Sequence, residues 1–364
     1  MTERIARPAG GRPGAVTVRA AVAADRAAWD AFVSALPAAD PLQAWGWGEV
    51  AAEGAERPAR LVAVDDVGRI RGVAQALVRD AAAGRRVLYV PHGPAWDARA
   101  ADGPAVIGAL LDGLRALGRA ERGILLKLDP RATRELEADE LGRMLRGLGL
   151  RAARADLQAR TTRVLDLRPG RDALLAGLEK DTRNLVRRAA REGVAARVVR
   201  GADLAAYGRF ATLLAGTGAR AGFRVRSRES FEAMAREFGP RGDAYLVLAE
   251  HGGREIAGCL ALTAGPRAFY LYAASLREPE LRHAAGPYAA LWAAIEALAA
   301  DGRESLDLWG VAERGDRVAD ASWAGFSLFK RGFGGAPLRH PGTFDMVLSP
   351  AWYAVRDLRE RLGR

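Results

Sequence analysis

The stretch Ser327 to Gly335, SLFKRGFGG, sets Lys330 and Arg331 between Phe329 and Phe333 and follows them with closely spaced glycines. It is not a Walker phosphate loop, because the glycines come after the lysine and no Ser or Thr follows. Two readings remain. One is a surface turn with a solvated cation pair; the other is an apolar wall, Phe329 and Phe333, beside which Lys330 faces developing negative charge. Three lysines, Lys127, Lys180 and Lys330, stand against 52 arginines. In such a chain a retained lysine points to a site that needs a compact ammonium rather than a planar fork.

Two carboxylates are candidates for moving a proton. Asp129 closes LKLDP, where an apolar strand stops, and either caps the next turn or accepts a proton in a cleft. Asp97 ends YVPHGPAWD, a Pro/Gly turn leaving a strand and carrying His92 and Trp96. Recognition groups are also visible. DPLQAWGWGEV holds Trp45 and Trp47 two apart, so core packing explains one and leaves the other, on the opposite face, for a ligand. TGARAGFRVRSRESF gathers Arg220, Arg224, Arg226 and Arg228 around Phe223, either a solvated face or a set of forks for phosphate or carboxylate. The basic run KDTRNLVRRAAREG could follow a nucleic-acid backbone, a signal without sequence specificity.

Several classes of site are set aside. His92, His251, His283 and His340 show no ligand spacing, so no metal site is expected. The single Cys259, in IAGCLAL, reads as a buried residue and excludes a disulfide within the chain. The net charge of +11 favours an acidic partner. With no run of about 18 apolar residues and no hydrophobic leader, the expected location is the cytoplasm, with the first dozen residues a loose arm.

The elements that must position these groups occur twice in the same order. ARLVAVDD, RGVAQALVRD, RRVLYVPHGP, the helical PAVIGALLDGLRALGRAE and the strand ILLKLDP form one series. AYLVLAEH, AGCLALTAG, AFYLYAAS, the helical GPYAALWAAIEALAADG and SLDLWGV form the other. The repeat predicts a duplicated α/β unit in which Asp129 and Asp307 close corresponding strands, where ligands of open α/β sheets gather. The expected division is 15–155 for the first domain and 156–348 for the second. A helix over 349–364, begun by Ser349 and Pro350, would dock on either half.

In this order, PLQAWGWGEV, YVPHGPAWD, LKLDP, TTRVLDL, KDTRNLVRRAAREGV, TGARAGFRVRS, FYLYAAS, SLDLWGV and SLFKRGFGG resemble the Fem-type (FemABX) aminoacyl-tRNA-dependent peptidyltransferases of bacterial cell-wall synthesis. The resemblance runs from about residue 40 to 345. It implies two tandem acyltransferase-like (GNAT) domains. It also implies transfer of an amino acid from aminoacyl-tRNA to an amine on the stem peptide of a peptidoglycan precursor, either UDP-linked or lipid-linked, with no cofactor and with possible contact at the inner membrane face. By the same resemblance Lys330 stabilises the oxyanion beside Phe329, Asp129 or Asp97 handles the attacking amine, and Arg226, Arg224, Tyr272 and Trp45 contact the precursor. Many members carry a lysine after the LQ-W segment, where this chain has GEVAAEG. The alternatives are an acyl-CoA-dependent N-acyltransferase, whose pyrophosphate turn is missing here, and a non-catalytic RNA-binding protein.

Overall fold

The computed structural model describes residues 16–133, 137–281, 283–312 and 321–361; the expected amino-terminal arm lies outside them. The first half comprises β1 (Thr17–Ala20), α1 (Arg26–Ala35), α2 (Trp45–Ala52), β2 (Arg57–Val64), β3 (Ile70–Asp80) and β4 (Arg86–Val90). It continues through β5 (Ala95–Trp96), α3 (Gly103–Ala120), β6 (Gly123–Leu128), α4 (Ala138–Gly147) and β7 (Arg151–Ala152). The second half opens with β8 (Thr161–Asp166), α5 (Arg171–Gly177), α6 (Lys180–Arg191), β9 (Ala195–Val199), α7 (Leu204–Ala221) and α8 (Arg228–Phe238). Then come β10 (Ala244–His251), β11 (Arg254–Ala264), β12 (Arg267–Ser275), α9 (Gly286–Ala300), β13 (Ser305–Gly310), α10 (Ala321–Gly332) and β14 (Ala336–Arg339). The described residues end with β15 (Phe344–Val347) and α11 (Pro350–Arg361).

These strands form two sheets, β1-β2-β3-β4-β6-β15-β7, with β5 on β3, and β14-β8-β13-β12-β11-β10-β9. Each repeats one plan. An antiparallel hairpin (β2–β3, β10–β11) and a third antiparallel strand (β4, β12) lead through a crossover helix to a parallel neighbour (β6, β13). The crossover helices show the duplication most plainly. α3 buries Val106, Ile107, Leu110, Leu111 and Leu114, and α9 buries Ala290, Leu291, Ala294, Ile295 and Leu298, the same one-face spacing in both. Cys259 lies in the second core, as its apolar run predicts.

The division drawn from sequence needs one correction. β15, assigned there to the second domain, pairs antiparallel with β6 in the first sheet, from Phe344 opposite Leu128 to Val347 opposite Leu125. In the second sheet β8 takes the corresponding place on β13. A four-residue strand carries no local mark of its partner, because pairing depends on which edge is free. α11 follows β15 onto the first half, where Leu348 and Ser349 donate to the Ile124 carbonyl and Arg85 lies over the Trp352 ring.

The segment from Asp40 to Ala52 joins the two halves. Trp45 packs edge-on against Trp29, at 5.6 Å, in the first half's core. Trp47, two residues on, enters the core formed by Phe210, Phe231, Phe238 and Leu246 of the second half. Opposite faces of one short helix thus fill two different cores. The expectation that one tryptophan is left for a ligand is overturned: Trp45 is buried and is further covered by the Arg60 guanidinium at 4.1 Å. Ion pairs Arg26–Glu237 and Arg236–Glu53 flank the same seam.

Candidate active site at the seam of the two halves

β4 and β6 run parallel, so the residues beyond their carboxyl ends come together. Asp129 follows β6. Its Oδ1 accepts the His92 backbone N–H at 2.7 Å and its Oδ2 accepts the Tyr89 hydroxyl at 2.9 Å. Gln158 donates in turn to the Tyr89 oxygen at 3.2 Å. Asp129 is 5% exposed, and burial raises its pKa above the ordinary carboxylate value against the pull of His92, Tyr89 and Arg131. A carboxyl in that state is suited to taking up a proton.

The second half presents Asp307 from β13, where pairing with β8 slips between Asp307 and Gly310. Its Oδ1 accepts the Trp309 N–H at 2.7 Å and its Oδ2 the Thr162 hydroxyl at 3.0 Å. His340 completes a directed chain. The Ala132 N–H donates to Nδ1, so the ring proton sits on Nε2, 3.2 Å from the Thr162 oxygen. Burial, with Arg131, His92 and Arg267 nearby, pushes the His340 pKa well below the ordinary histidine value, which agrees with a neutral ring. The Arg131 guanidinium, also buried, lies 3.7 Å from Asp307.

Lys330 stands in the last turn of α10, and its ammonium donates to the Gly310 carbonyl at 2.7 Å. Burial lowers its pKa to about 8, and the Asp307 charge opposes the fall. The stretch that carries it is therefore a helix end rather than a surface loop. Gly334 and Gly335 adopt φ of 87° and 77°, which turn the chain into β14. A side chain at Gly335 would meet the Val164 carbonyl, so glycine is required there by both conformation and space.

The other expected residues are placed unevenly. Phe329 packs on Tyr288 at 5.0 Å and on Phe333 at 5.2 Å, which seats the Lys330 helix on the second core. Arg226 and Tyr272, 46 positions apart, meet with Nε donating to the hydroxyl at 3.1 Å, and the guanidinium covers Trp47 at 5.0 Å. Arg224 is exposed in the turn after α7. Asp97 lies outside the buried network: its carboxylate accepts the Arg99 N–H at 2.9 Å, an Asx turn that leads to α3.

Sequence reasoning passed over the Asp40–His92 pair, Arg131, Thr162 and His340. Asp40 Oδ2 lies 2.8 Å from His92 Nδ1, and its Oδ1 accepts the Leu42 N–H at 2.9 Å. Burial alone would raise Asp40, but the His92 imidazole, Arg131 and the Leu42 N–H hold it below the ordinary carboxylate range. The signal that could have found the two histidines is rarity: the chain has four, and His92 and His340 both lie buried at this seam.

Among solved structures the chain is similar to FemX, with a TM-score of 0.78 and 22% identity over 91% of this chain and 98% of that one. It is also similar to a tandem GNAT protein from the clavulanic acid biosynthesis pathway, with a TM-score of 0.54 and 14% identity over 92% and 99%. Both likenesses agree with two tandem GNAT-like domains. Among curated proteins, a lipid II:glycine glycyltransferase of Staphylococcus aureus (strain MRSA252) is 30% identical over 227 residues, 60% of this chain and 52% of the relative. The chain thus spans about half the length of the curated relatives it matches. The FemAB family model matches residues 25–255 and 250–361, nearly the whole described chain, and the protein belongs to the FemAB family.

Proposed function

We propose that this protein is an aminoacyltransferase that moves an amino acid from aminoacyl-tRNA to an amine on the stem peptide of a peptidoglycan precursor. The observation that carries the reading is the joining of Lys330, from one half, to Asp129, from the other, by a continuous set of contacts through Gly310, Trp309 and His92. Ester aminolysis needs a neutral amine, alignment and a stabilised oxyanion. The amine nitrogen bonds to the ester carbon, the carbonyl oxygen takes up negative charge opposite the Lys330 ammonium, and the bond between the acyl carbon and the ribose oxygen then breaks. The amine's proton passes by way of Asp129 to the departing ribose oxygen. In the free chain each Asp129 oxygen accepts one hydrogen bond, from the Tyr89 hydroxyl and the His92 N–H, and keeps a second lone pair for the amine. Arg226 and Tyr272 contact the muramyl peptide, with Arg224 at the rim.

The donor assignment draws support from two features. α6 buries Thr182, Val186 and Ala189 and exposes Lys180, Arg187 and Arg191 on its other side. Its start is tied to the end of the Lys330 helix by Glu179 N–H to the Gly332 carbonyl at 3.0 Å, so an RNA backbone on this face lies close to Lys330. Acyl-CoA is disfavoured by the crossover helices, since proline occupies the first turn of both α3 and α9, removing an N–H that a pyrophosphate would use. The curated relatives' name, lipid II:glycine glycyltransferase, favours a lipid-linked precursor and action at the inner membrane face. No helix among the described residues is long and apolar enough to cross a membrane.

Incubation with pools of charged tRNA and muramyl-pentapeptide precursors, soluble and lipid-linked, followed by mass spectrometry, is expected to show one added aminoacyl mass. Acylation from acyl-CoA with no tRNA-dependent product overturns the reading. A pH dependence follows as well. The ammonium form of Lys330 is full below its pKa of about 8 and lost above it, so the rate term that depends on it falls as pH rises through that value. In Lys330→Arg, which stays protonated, this alkaline limb is expected to vanish from the pH–rate profile.

A further inference from the structure

We propose that His92, clamped by Asp40, is a positioning residue that holds the Asp129 carboxylate and the anchor of Lys330 in register across the seam. The inference rests on the roles just given to Asp129 and Lys330. His92 contacts both sides at once: its backbone N–H fixes Asp129, and its ring lies against the Trp309 ring of the second half, with centroids 4.9 Å apart. Gly310, the next residue, supplies the carbonyl that binds Lys330. The two rings are carried by matched backbone devices. His92 and Trp309 sit at φ of 53° and 64°, and each gives its N–H to an aspartate, Asp129 just past β6 and Asp307 within β13. A left-handed conformation at a non-glycine residue costs on the order of 1–2 kcal/mol, so each needs compensation from its surroundings.

The chemistry of the side chain favours a role beyond packing. The His92 side chain is wholly buried, and the Asp40 carboxylate, itself 2% exposed, fixes the ring proton on Nδ1. Nε2 is a buried polar atom with no hydrogen-bond partner among the described residues, at a cost of about 1–3 kcal/mol. Phenylalanine would fill the space without that cost. What it lacks is the Nδ1–H bond to Asp40, which stops the ring from turning and so fixes the surface on which Trp309 rests. The contacts of His92 run to Asp129 and to Trp309, the neighbour of Gly310, so its effect passes through Asp129 and Lys330.

The test is a double-mutant cycle. His92→Asn keeps a donor for Asp40 and loses the ring against Trp309. It is expected to lower kcat on the order of a hundredfold with KM little changed, the usual effect of a small misplacement of reacting groups. In a Lys330→Ala background the same change is expected to add roughly twofold or less, because the two act as one unit. Wild-type kcat in folded His92→Asn, or losses that multiply, overturns the proposal. If His92→Asn does not fold, Asp40→Asn, which frees the ring at constant volume, takes its place under the same criteria. A second readout needs no substrate. With three lysines in the chain, ¹³C-methylation gives a countable set of signals. The Lys330 signal, whose facing charge is Asp307, is expected to titrate near 8 in the wild type and to move in the variant. An unmoved titration overturns the inference even if the wild type transfers no amino acid, whereas an inactive wild type with a moved titration overturns only the assigned activity.

Discussion

Lys330→Ala is expected to slow acyl transfer by on the order of a hundredfold to a thousandfold, the range found when one oxyanion donor is removed. The size follows from the setting. An ammonium in water would be screened, but this one is partly buried, with its pKa lowered to about 8, and directed by one carbonyl at 2.7 Å. The loss should fall on kcat, because charge appears on the ester oxygen only as the amine attacks. Single-turnover measurement with donor and precursor both bound separates this from weaker binding. A variant that loses only affinity would remove Lys330 from the chemical step.

Asp307→Asn is expected to destabilise the fold by about 3–5 kcal/mol, the cost of taking one partner from a buried ion pair. Asp307 is 1% exposed, and its carboxylate answers Arg131 at 3.7 Å, Thr162 and the Trp309 N–H while supporting the Lys330 charge from nearby. The amide keeps the shape but leaves two cations facing a neutral group. Urea unfolding of the two proteins measures the difference. A loss below about 1 kcal/mol, the scale of an exposed pair, would mean that the seam is wetter than its burial indicates.

Much of this was legible in the residues. The duplication shows because a crossover helix must bury one face, and both copies keep the same apolar spacing, Val106 to Leu114 and Ala290 to Leu298. Lys330 stands out because arginine dominates elsewhere, although the same rule also picks Lys127, which pairs with Asp345 at 2.6 Å, and Lys180, which is exposed. Rarity narrows the choice; burial and partner make it. The seam itself was hidden. Asp40 meets His92 across 52 positions, and Arg131 cannot be told from the other arginines by sequence. Trp45 was misplaced for a related reason: two faces of one helix suggest an inside and an outside, whereas here a second domain covers the outside.

The return of β15 to β6 also bears on the order in which the molecule can be made. While the chain is being synthesised, the first sheet has an unsatisfied edge at β6 until Phe344–Val347 emerges, after the whole second half has been translated. That contact spans more than half of the chain, which places the last step of closing the first core among the slow, non-local events of folding. The two halves resemble modules, yet neither is a beads-on-a-string unit. The nascent first half must keep an exposed strand edge from pairing with the wrong neighbour until its own carboxyl-terminal strand arrives.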